Sequence, residues 1–290
     1  MINKNDIGCI ENLLNNKVIH SKLLSNSFNI NCIKITTENK KNYICKYYNN
    51  STNDFNAITS ETKNLIYLNN LNLNFFPSII EYNDKYLIMS CIEHDGFQPD
   101  NTETNLLNAI ISMHKFTNNK YGLEFDTQIG GLKQINNQNK NWIDFYRDLR
   151  LGYIYNLINS SEPMSTSING KMDRLIKNLS NFIPNEPKAS LLHGDLWEGN
   201  ILFHNKKFIG FIDPGTFYGH NELEIAYLTW FNPKFIKNDF INKYNNIIKI
   251  NKEYFSYEPI YQLYYSLLNV YLWDRNYVHD VMRLLDKIKI

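Results

Sequence analysis

The sequence predicts an α+β chain in two parts: a small β-rich N-terminal lobe over residues 1–92 and a larger, mainly helical C-terminal lobe over 93–290. Alternating or apolar runs typical of strands lie in the first third, at Asn31–Thr36 and Tyr43–Tyr48. Further along, apolar residues recur at helical spacing, and the prolines between them leave no linker long enough to separate independent domains. With 290 residues, 43% of them hydrophobic, the chain can bury the core of one such unit.

The N-terminal lobe begins with an amphipathic segment, since the apolar residues of Ile7–Leu14 share one helical face. After the two strands named above, Ser78–Tyr82 and Tyr86–Ile92 flank the turn formers Asn83 and Asp84 and predict a β-hairpin. The chain becomes polar at Glu93, where we place the connection between the lobes.

Helical periodicity dominates the rest of the chain, which therefore forms the mainly α lobe. The predicted helices are Asn105–Phe116, Trp142–Asn159, Met172–Phe182, Glu222–Phe231, Phe235–Lys249 and Tyr261–Leu285, the last with a break near Asp274–Tyr277.

Composition excludes several classes of partner. A net charge of +1 provides no basic field for nucleic acid or an anionic membrane, so a small neutral or polar substrate fits better. The residues Met1–Asn16 lack a long apolar run, and no segment reaches membrane-spanning length, so we expect a cytoplasmic protein. The four cysteines form no C-x-x-C pair, which argues against a zinc site or a disulfide framework. A monomer or a homodimer is compatible with these features.

The segment that carries chemistry contains Asp195, Asn200 and Asp213 around short apolar runs. Transfer of a γ-phosphoryl group needs a carboxylate that accepts the acceptor's proton, and an Asn and a second carboxylate that hold Mg²⁺. Asp195 and Asn200 have the D-x-x-x-x-N spacing of a kinase catalytic loop, and Asp213 opens a D-P-G where kinases have D-F-G. Asp195 is therefore the predicted base, and the other two are the predicted metal ligands.

A predicted hairpin connects the two metal ligands. Ile201–Phe203 and Phe208–Ile212 are apolar runs separated by the polar turn His204–Lys207. Asn200 and Asp213 lie at its two ends, so one small element should set their separation.

These motifs resemble the fructosamine kinase (ketosamine 3-kinase) family. His193–Asn200 reads H-G-D-L-W-E-G-N and Ile212–Glu222 reads I-D-P-G-T-F-Y-G-H-N-E, both close to the family's patterns. Upstream agreement includes Tyr121–Phe125, Ile129–Gly131 and the helix Trp142–Leu151. The resemblance covers most of the chain and implies a two-lobed protein-kinase-like fold of the aminoglycoside phosphotransferase superfamily. It also implies ATP and Mg²⁺ as cofactors and a sugar hydroxyl of a ketosamine, free or protein-bound, as the acceptor in protein deglycation.

The resemblance implies a nucleotide site in the N-terminal lobe. Lys46 takes the place of the kinase strand lysine that pairs with the α- and β-phosphates and needs a carboxylate partner. Glu61 is the candidate, because it opens a segment similar to the family's E-x-x-x-L-x-x-L helix. The backbone of Ser90, Cys91 and Ile92 is expected to bind adenine, and Met89 to border the pocket.

Candidate substrate residues also come from the resemblance: Trp197 beside the base, and His220 and Glu222 of the G-H-x-E run. The chain departs from the family at the phosphate-covering loop, Ser25–Asn29, which has no glycine. Asn26 and Asn29 are expected to substitute, since Asn tolerates positive φ better than other non-glycine residues. A redox role for Cys32, near this loop, is a side hypothesis.

Two other functions use the same machinery. An aminoglycoside or choline (amino-alcohol) kinase would need an acidic pocket for its cationic acceptor, which Glu222, Glu224 and Asp274 could form. A non-catalytic nucleotide-binding pseudokinase is suggested by the glycine-poor loop alone.

Overall fold

A computed structural model describes residues 3–48, 55–237 and 239–289. The chain forms two compact units. The first unit comprises Met1–Gln98, Thr127–Lys133 and Gly199–Gly215, and the second comprises Pro99–Asp126, Gln134–Glu198 and Thr216–Ile290. The hairpin with the predicted metal ligands thus belongs to the first unit, although most of its sequence neighbours belong to the second.

The described residues up to 98 form two helices and five strands: α1 (Lys4–Leu14), β1 (Val18–Ser27), β2 (Ile30–Thr37), β3 (Asn42–Tyr48), α2 (Ala57–Asn70), β4 (Ile79–Tyr82) and β5 (Tyr86–Ser90). The strands pair antiparallel in one sheet of order β1-β2-β3-β5-β4. One face of this sheet packs on α1, with Ile10, Ile33 and Ile88 fully buried between them.

The remaining elements are mostly helical: α3 (Thr104–Lys115), β6 (Thr117–Asn118), β7 (Thr127–Ile129), β8 (Leu132–Gln134), α4 (Trp142–Tyr146), α5 (Gly152–Ser161), α6 (Thr166–Lys177), β9 (Ala189–Leu192), β10 (Ile201–His204), β11 (Lys207–Phe211), β12 (Phe217–His220), α7 (Asn221–Trp230), α8 (Asp239–Asn245), α9 (Tyr254–Leu272) and α10 (Val278–Lys287). A π-helical turn, Arg147–Leu151, joins α4 to α5. No helix of the described ranges is both long enough and apolar enough to cross a bilayer.

In the second unit, β9 is the central strand of a small sheet of order β12-β9-β6. The long helix α9 packs against α7, α5 and α10. Its buried tyrosines contact the aromatic side chains of α4, where the Trp142 indole N–H donates to the Tyr261 hydroxyl at 3.0 Å. Aromatic packing with satisfied polar groups therefore fixes α9, against which α7 packs.

The structure confirms both predicted hairpins, β4–β5 and β10–β11, and the break between α9 and α10. Several helix boundaries were wrong. α6 begins at Thr166 rather than Met172, because the Ser165 hydroxyl caps it by accepting from the Ile168 N–H at 3.3 Å. α8 covers only Asp239–Asn245 of the predicted Phe235–Lys249.

α9 begins at Tyr254, seven residues before the predicted Tyr261. Pro259 lies within this helix, which continues through it. Tyr254 and Tyr257, on the N-terminal side of Pro259, are almost completely buried, so tertiary packing overrides the helix-breaking tendency of proline.

Candidate active site

The hairpin β10–β11 holds Asn200 and Asp213 at its open end. Ile201 pairs with Phe211, and one step further the Ile212 N–H donates to the Asn200 carbonyl at 3.1 Å. Asn200 is 5% exposed, whereas the Asp213 side chain is 43% exposed. One backbone hydrogen bond thus joins Asn200 to the residue before Asp213, at the end of a ladder that is irregular between Leu202 and Phe203.

Asp213 has a left-handed backbone conformation, with φ of 54°. This region disfavours residues other than glycine, although Asp tolerates it better than most. The next residue is fixed, since the Asn64 side-chain amide of α2 donates to the Pro214 carbonyl at 2.6 Å. Local strain that is held by a buried neighbour is typical of functional positions, where it aims a side chain.

Lys46 lies between two carboxylates of the first unit. Its Nζ is 2.6 Å from Glu61 Oε1 and 2.6 Å from Asp213 Oδ1. The predicted contact between Lys46 and Glu61 is therefore present, and the ammonium is also shared with Asp213. Burial alone would lower the pKa of Lys46, but the charges of Asp213 and Glu61 raise it above its usual value. A permanently cationic, nearly buried ammonium next to Asp213 is suited to binding phosphate.

The predicted adenine-binding residues lie at the end of β5. Met89 is buried, and Ser90, the last residue of the strand, donates its N–H to the Ser78 carbonyl at 2.8 Å. Cys91 and Ile92 follow the strand and are half-buried. The structure places all four together in the first unit, and their contact with adenine stays a prediction.

The predicted phosphate-covering loop, Ser25–Asn29, ends in the two-residue turn between β1 and β2. Phe28 and Asn29 have positive φ, 51° and 62°. Asn29 therefore adopts the positive φ that was expected of both residues, but Asn26 does not. Asn26 belongs to β1, where its side chain donates to Asn31 Oδ1 at 2.6 Å, because the pairing of Ser27 with Ile30 places the turn two residues later.

A glycine that we did not assign to this loop supports it. A Cβ on Gly131, which has φ of 80°, would lie 2.8 Å from Phe28 Cβ. Only glycine allows the segment between β7 and β8 to approach the turn so closely. The Gly130–Gly131 pair in the sequence was the signal that could have indicated this contact.

Cys32 lies opposite Lys46 in the β2–β3 register. Burial raises the pKa of its thiol to about 11. The thiolate is the reactive form of cysteine, so the ready disulfide exchange of a redox switch is not favoured by this environment.

In the second unit, β9 leads into the turn His193–Gly194–Asp195. Gly194 has φ of 84° and donates its N–H to Glu224 Oε1 of α7 at 2.8 Å. The other oxygen of Glu224 lies 2.9 Å from His114 Nε2, and His114 Nδ1 lies 2.6 Å from the Tyr244 hydroxyl. A buried chain of hydrogen bonds from α7 thereby fixes the turn that carries the predicted base.

Asp195 itself is half-buried, and its N–H donates to His193 Nδ1 at 3.3 Å. The Trp197 N–H donates to the Asp195 carbonyl at 3.2 Å. Trp197, two residues after the predicted base, is 39% exposed, so part of its side chain is open to a ligand.

His220 and Glu222 are buried, and protein groups satisfy their polar atoms. Glu222 accepts from the Asn251 N–H at 2.6 Å and from the Tyr257 hydroxyl, and His220 Nδ1 lies 2.8 Å from the Tyr261 hydroxyl. Both residues line one wall of a cavity of about 660 Å³ next to β9. Their role in substrate binding stays a prediction, and the structure shows His220 of β12 and Glu222 of α7 hydrogen-bonded to tyrosines of α9.

Glu224 should make the stability of the protein depend on acid pH. Burial alone would raise its pKa, but the hydrogen bond and charge of His114, with His193 and the Gly194 N–H, lower it. A carboxyl whose pKa is lower in the folded state than in the unfolded state, where it is about 4.3, stabilises the fold at pH values above the unfolded-state pKa. This stabilisation is lost as the pH falls through the folded-state pKa. We therefore expect Glu224→Gln to lower the free energy of unfolding at pH 7 by about 1–3 kcal/mol.

Urea unfolding between pH 7 and pH 3 measures this effect. The difference between wild type and Glu224→Gln should shrink below pH 4, while the exposed Glu162→Gln should follow the wild type throughout. If the free energies of unfolding of wild type and Glu224→Gln differed by a constant amount from pH 7 to pH 3, the lowered pKa of Glu224 would be contradicted.

Residues 10–290 match the family model described as fructosamine kinase. The protein-ribulosamine 3-kinase, chloroplastic, of Arabidopsis thaliana is 32% identical over 206 residues, which are 69% of this chain and 61% of that protein. The chain thus matches less than two thirds of the length of this relative.

Two solved structures show the fold. A Thermobifida fusca protein assigned by name to the fructosamine-3-kinases superposes with a TM-score of 0.85 at 18% identity, covering 97% of each chain. The streptomycin–ATP complex of APH(2″)-IIa superposes with a TM-score of 0.64 at 16% identity, covering 99% of this chain and 97% of that one. The predicted protein-kinase-like α+β fold is confirmed. Since the family model spans nearly the whole sequence, the chain belongs to the fructosamine kinase family.

Proposed function

We propose that the protein is an ATP- and Mg²⁺-dependent kinase that phosphorylates a sugar hydroxyl of a ketosamine. The observation that carries the proposal is the position of Lys46 Nζ, which lies 2.6 Å from both Glu61 and Asp213. In addition, the Asn200 carbonyl accepts a hydrogen bond from the N–H of Ile212, the residue before Asp213. A buried Lys–Glu pair next to the metal-binding Asp is the arrangement that orients ATP in kinases.

The oxygen donors present fit Mg²⁺. Asn200 and Asp213 offer an amide and a carboxylate, and Mg²⁺ usually binds one or two such groups together with substrate phosphates. Among the residues that the structure describes, no group of three or more His, Cys, Asp or Glu is placed to hold a metal ion by itself. When bound, Mg²⁺ neutralises charge on the β- and γ-phosphates.

Protein groups perform the remaining steps. Lys46, held by Glu61, orients the α- and β-phosphates. Asp195 accepts the proton of the acceptor hydroxyl as that oxygen bonds to the γ-phosphorus, while the bond from the γ-phosphorus to the β–γ bridging oxygen breaks and ADP leaves. The exposed face of Trp197, two residues from the base, provides a surface on which a sugar ring stacks.

The ketosamine class, with the 3-hydroxyl as the acceptor, rests on the family and on the relative named as a ribulosamine 3-kinase. Protein deglycation would follow if the ketosamine is borne by a protein amine. A cytoplasmic location and a monomer or homodimer stay predictions from the sequence.

The decisive experiment measures ATP- and Mg²⁺-dependent phosphorylation of ribulose-lysine, fructose-lysine, choline and kanamycin. Turnover of a ketosamine that disappears in Asp195→Asn supports the proposal. Turnover of choline or kanamycin alone would instead favour an amino-alcohol or aminoglycoside kinase, and nucleotide binding without any turnover would favour a pseudokinase.

The acidic pocket that a cationic acceptor needs is not favoured by the geometry. Both Glu224 oxygens already contact the Gly194 N–H and His114, and Glu222 contacts Asn251 and Tyr257. Asp274 caps a short helical turn by accepting from the Asn276 N–H at 2.8 Å. These carboxylates are therefore engaged within the protein.

A further inference from the structure

Two stacked tyrosines contact the turn that carries Asp195. Tyr227 of α7 and Tyr265 of α9 lie face to face, with ring centroids 3.6 Å apart and an interplanar angle of 2°. The Tyr265 hydroxyl donates to the Gly194 carbonyl at 3.3 Å. Burial raises the pKa of Tyr227, and the charge of the Asp195 carboxylate and a hydrogen bond between the two side chains raise it further. The stacked pair therefore contacts two successive residues of the turn.

We propose that Tyr227 is a positioning residue for the base: its hydroxyl donates to one Asp195 carboxylate oxygen and leaves the other to accept the acceptor's proton. This inference rests on the proposed function, since it assumes that Asp195 is the base. Tyr227 of α7 lies outside the catalytic motif and is not one of the predicted metal ligands, so neither of these supplies the orientation of Asp195.

The surroundings of Tyr227 make its hydroxyl a fixed donor. Its side chain is 6% exposed and stacks on Tyr265, which is 1% exposed. Glu224, three residues earlier on the same face of α7, accepts from the Gly194 N–H at 2.8 Å. One helix face thus holds both the backbone of the turn and the side chain of Asp195.

Five titratable groups face Asp195 or its turn: His193 of the turn, Glu224 and Tyr227 of α7, and Tyr264 and Tyr265 of α9. Burial raises the pKa of Tyr227 and Tyr265 well above the usual value, so both remain protonated donors at neutral pH. Donation to a charged carboxylate favours its ionised form. Tyr227 therefore helps to keep Asp195 ionised as well as oriented.

Tyr227→Phe tests the proposal, because it keeps the ring and its stack and removes only the hydroxyl. We expect kcat to fall about 10- to 100-fold, as for loss of a hydrogen bond to a charged group. We also expect the KM for ATP to stay unchanged, and the acid limb of the kcat/KM profile to shift to higher pH.

Tyr155→Phe is the matched control. The Tyr155 hydroxyl donates to Asp173 Oδ1 at 3.0 Å, a part-buried Tyr–Asp hydrogen bond in the same unit. This variant should lose stability to a similar degree, without a change in kcat or in the pH profile. If Tyr227→Phe behaves in the same way as Tyr155→Phe, the proposal is overturned and Tyr227 is structural.

A measurement without substrate separates this proposal from the proposed function. With ¹³C-labelled aspartate, the Asp195 carboxyl resonance is identified by its loss in Asp195→Asn and is then titrated in wild type and Tyr227→Phe. A titration midpoint that rises in Tyr227→Phe supports the contact even if no ketosamine is phosphorylated. An unmoved midpoint refutes it even if ketosamine turnover is established.

Discussion

Asp195→Asn should reduce kcat for the ketosamine by at least about 10²- to 10⁴-fold, the usual contribution of a general base. Asn has nearly the same shape as Asp and still offers an oxygen to the Tyr227 hydroxyl, but it cannot accept the acceptor's proton. Because Asp195 is only half-buried and the turn is held through Gly194 and Glu224, the free energy of unfolding should change little.

Two measurements isolate this chemical effect. Isothermal titration should give the same ATP affinity for wild type and Asp195→Asn, since Lys46, Glu61 and Asp213 form their contacts within the first unit. Steady-state kinetics should then place the loss in kcat. An Asp195→Asn variant with unchanged turnover would remove Asp195 from the role of base.

The local parts of the candidate site could be predicted from sequence. The hairpin between Asn200 and Asp213 is a continuous segment, and its strands and polar turn are visible in the residue pattern. The Lys46–Glu61 contact spans only fifteen residues between one strand and the helix that follows it. The residue spacings of kinase motifs predict contacts within such segments, because only one or two secondary-structure elements determine where the side chains lie.

Contacts between distant segments could not be predicted. The ion pair of Lys46 with Asp213 joins residues 167 apart in sequence. Likewise, the sequence alone indicates only that Tyr227 and Tyr265 pack between helices, because buried helix faces are generally apolar and aromatic. The packing of α7 on α9 is what stacks the two rings next to Asp195.

Turn register was the other source of error. Asn26 and Asn29 both fit a glycine-poor phosphate loop by residue type, but the β1–β2 pairing decides which residues take positive φ. β1 itself lacked a strand signal, because an edge strand with exposed Ile19, Leu23 and Leu24 shows no alternation between buried and exposed positions.

Lys46→Met should impair both ATP use and stability. Loss of a preorganised cation at the phosphates should lower kcat/KM for ATP by about 10²- to 10³-fold, comparable to removal of one transition-state donor. The substitution also leaves Glu61, whose side chain is 4% exposed, as a buried carboxylate without its cation. Breaking a buried ion pair in this way costs about 3–5 kcal/mol in the free energy of unfolding.

A second variant separates the two effects. Lys46→Met combined with Glu61→Gln removes both charges of the pair, so unfolding in urea should show most of the lost stability restored, while kcat/KM for ATP stays low. The control Lys85→Met breaks the more exposed pair with Asp6, at 2.7 Å, and should cost less than about 1 kcal/mol. If the double variant regained ATP turnover together with stability, Lys46 would be a structural cation and the nucleotide site would have to be reassigned.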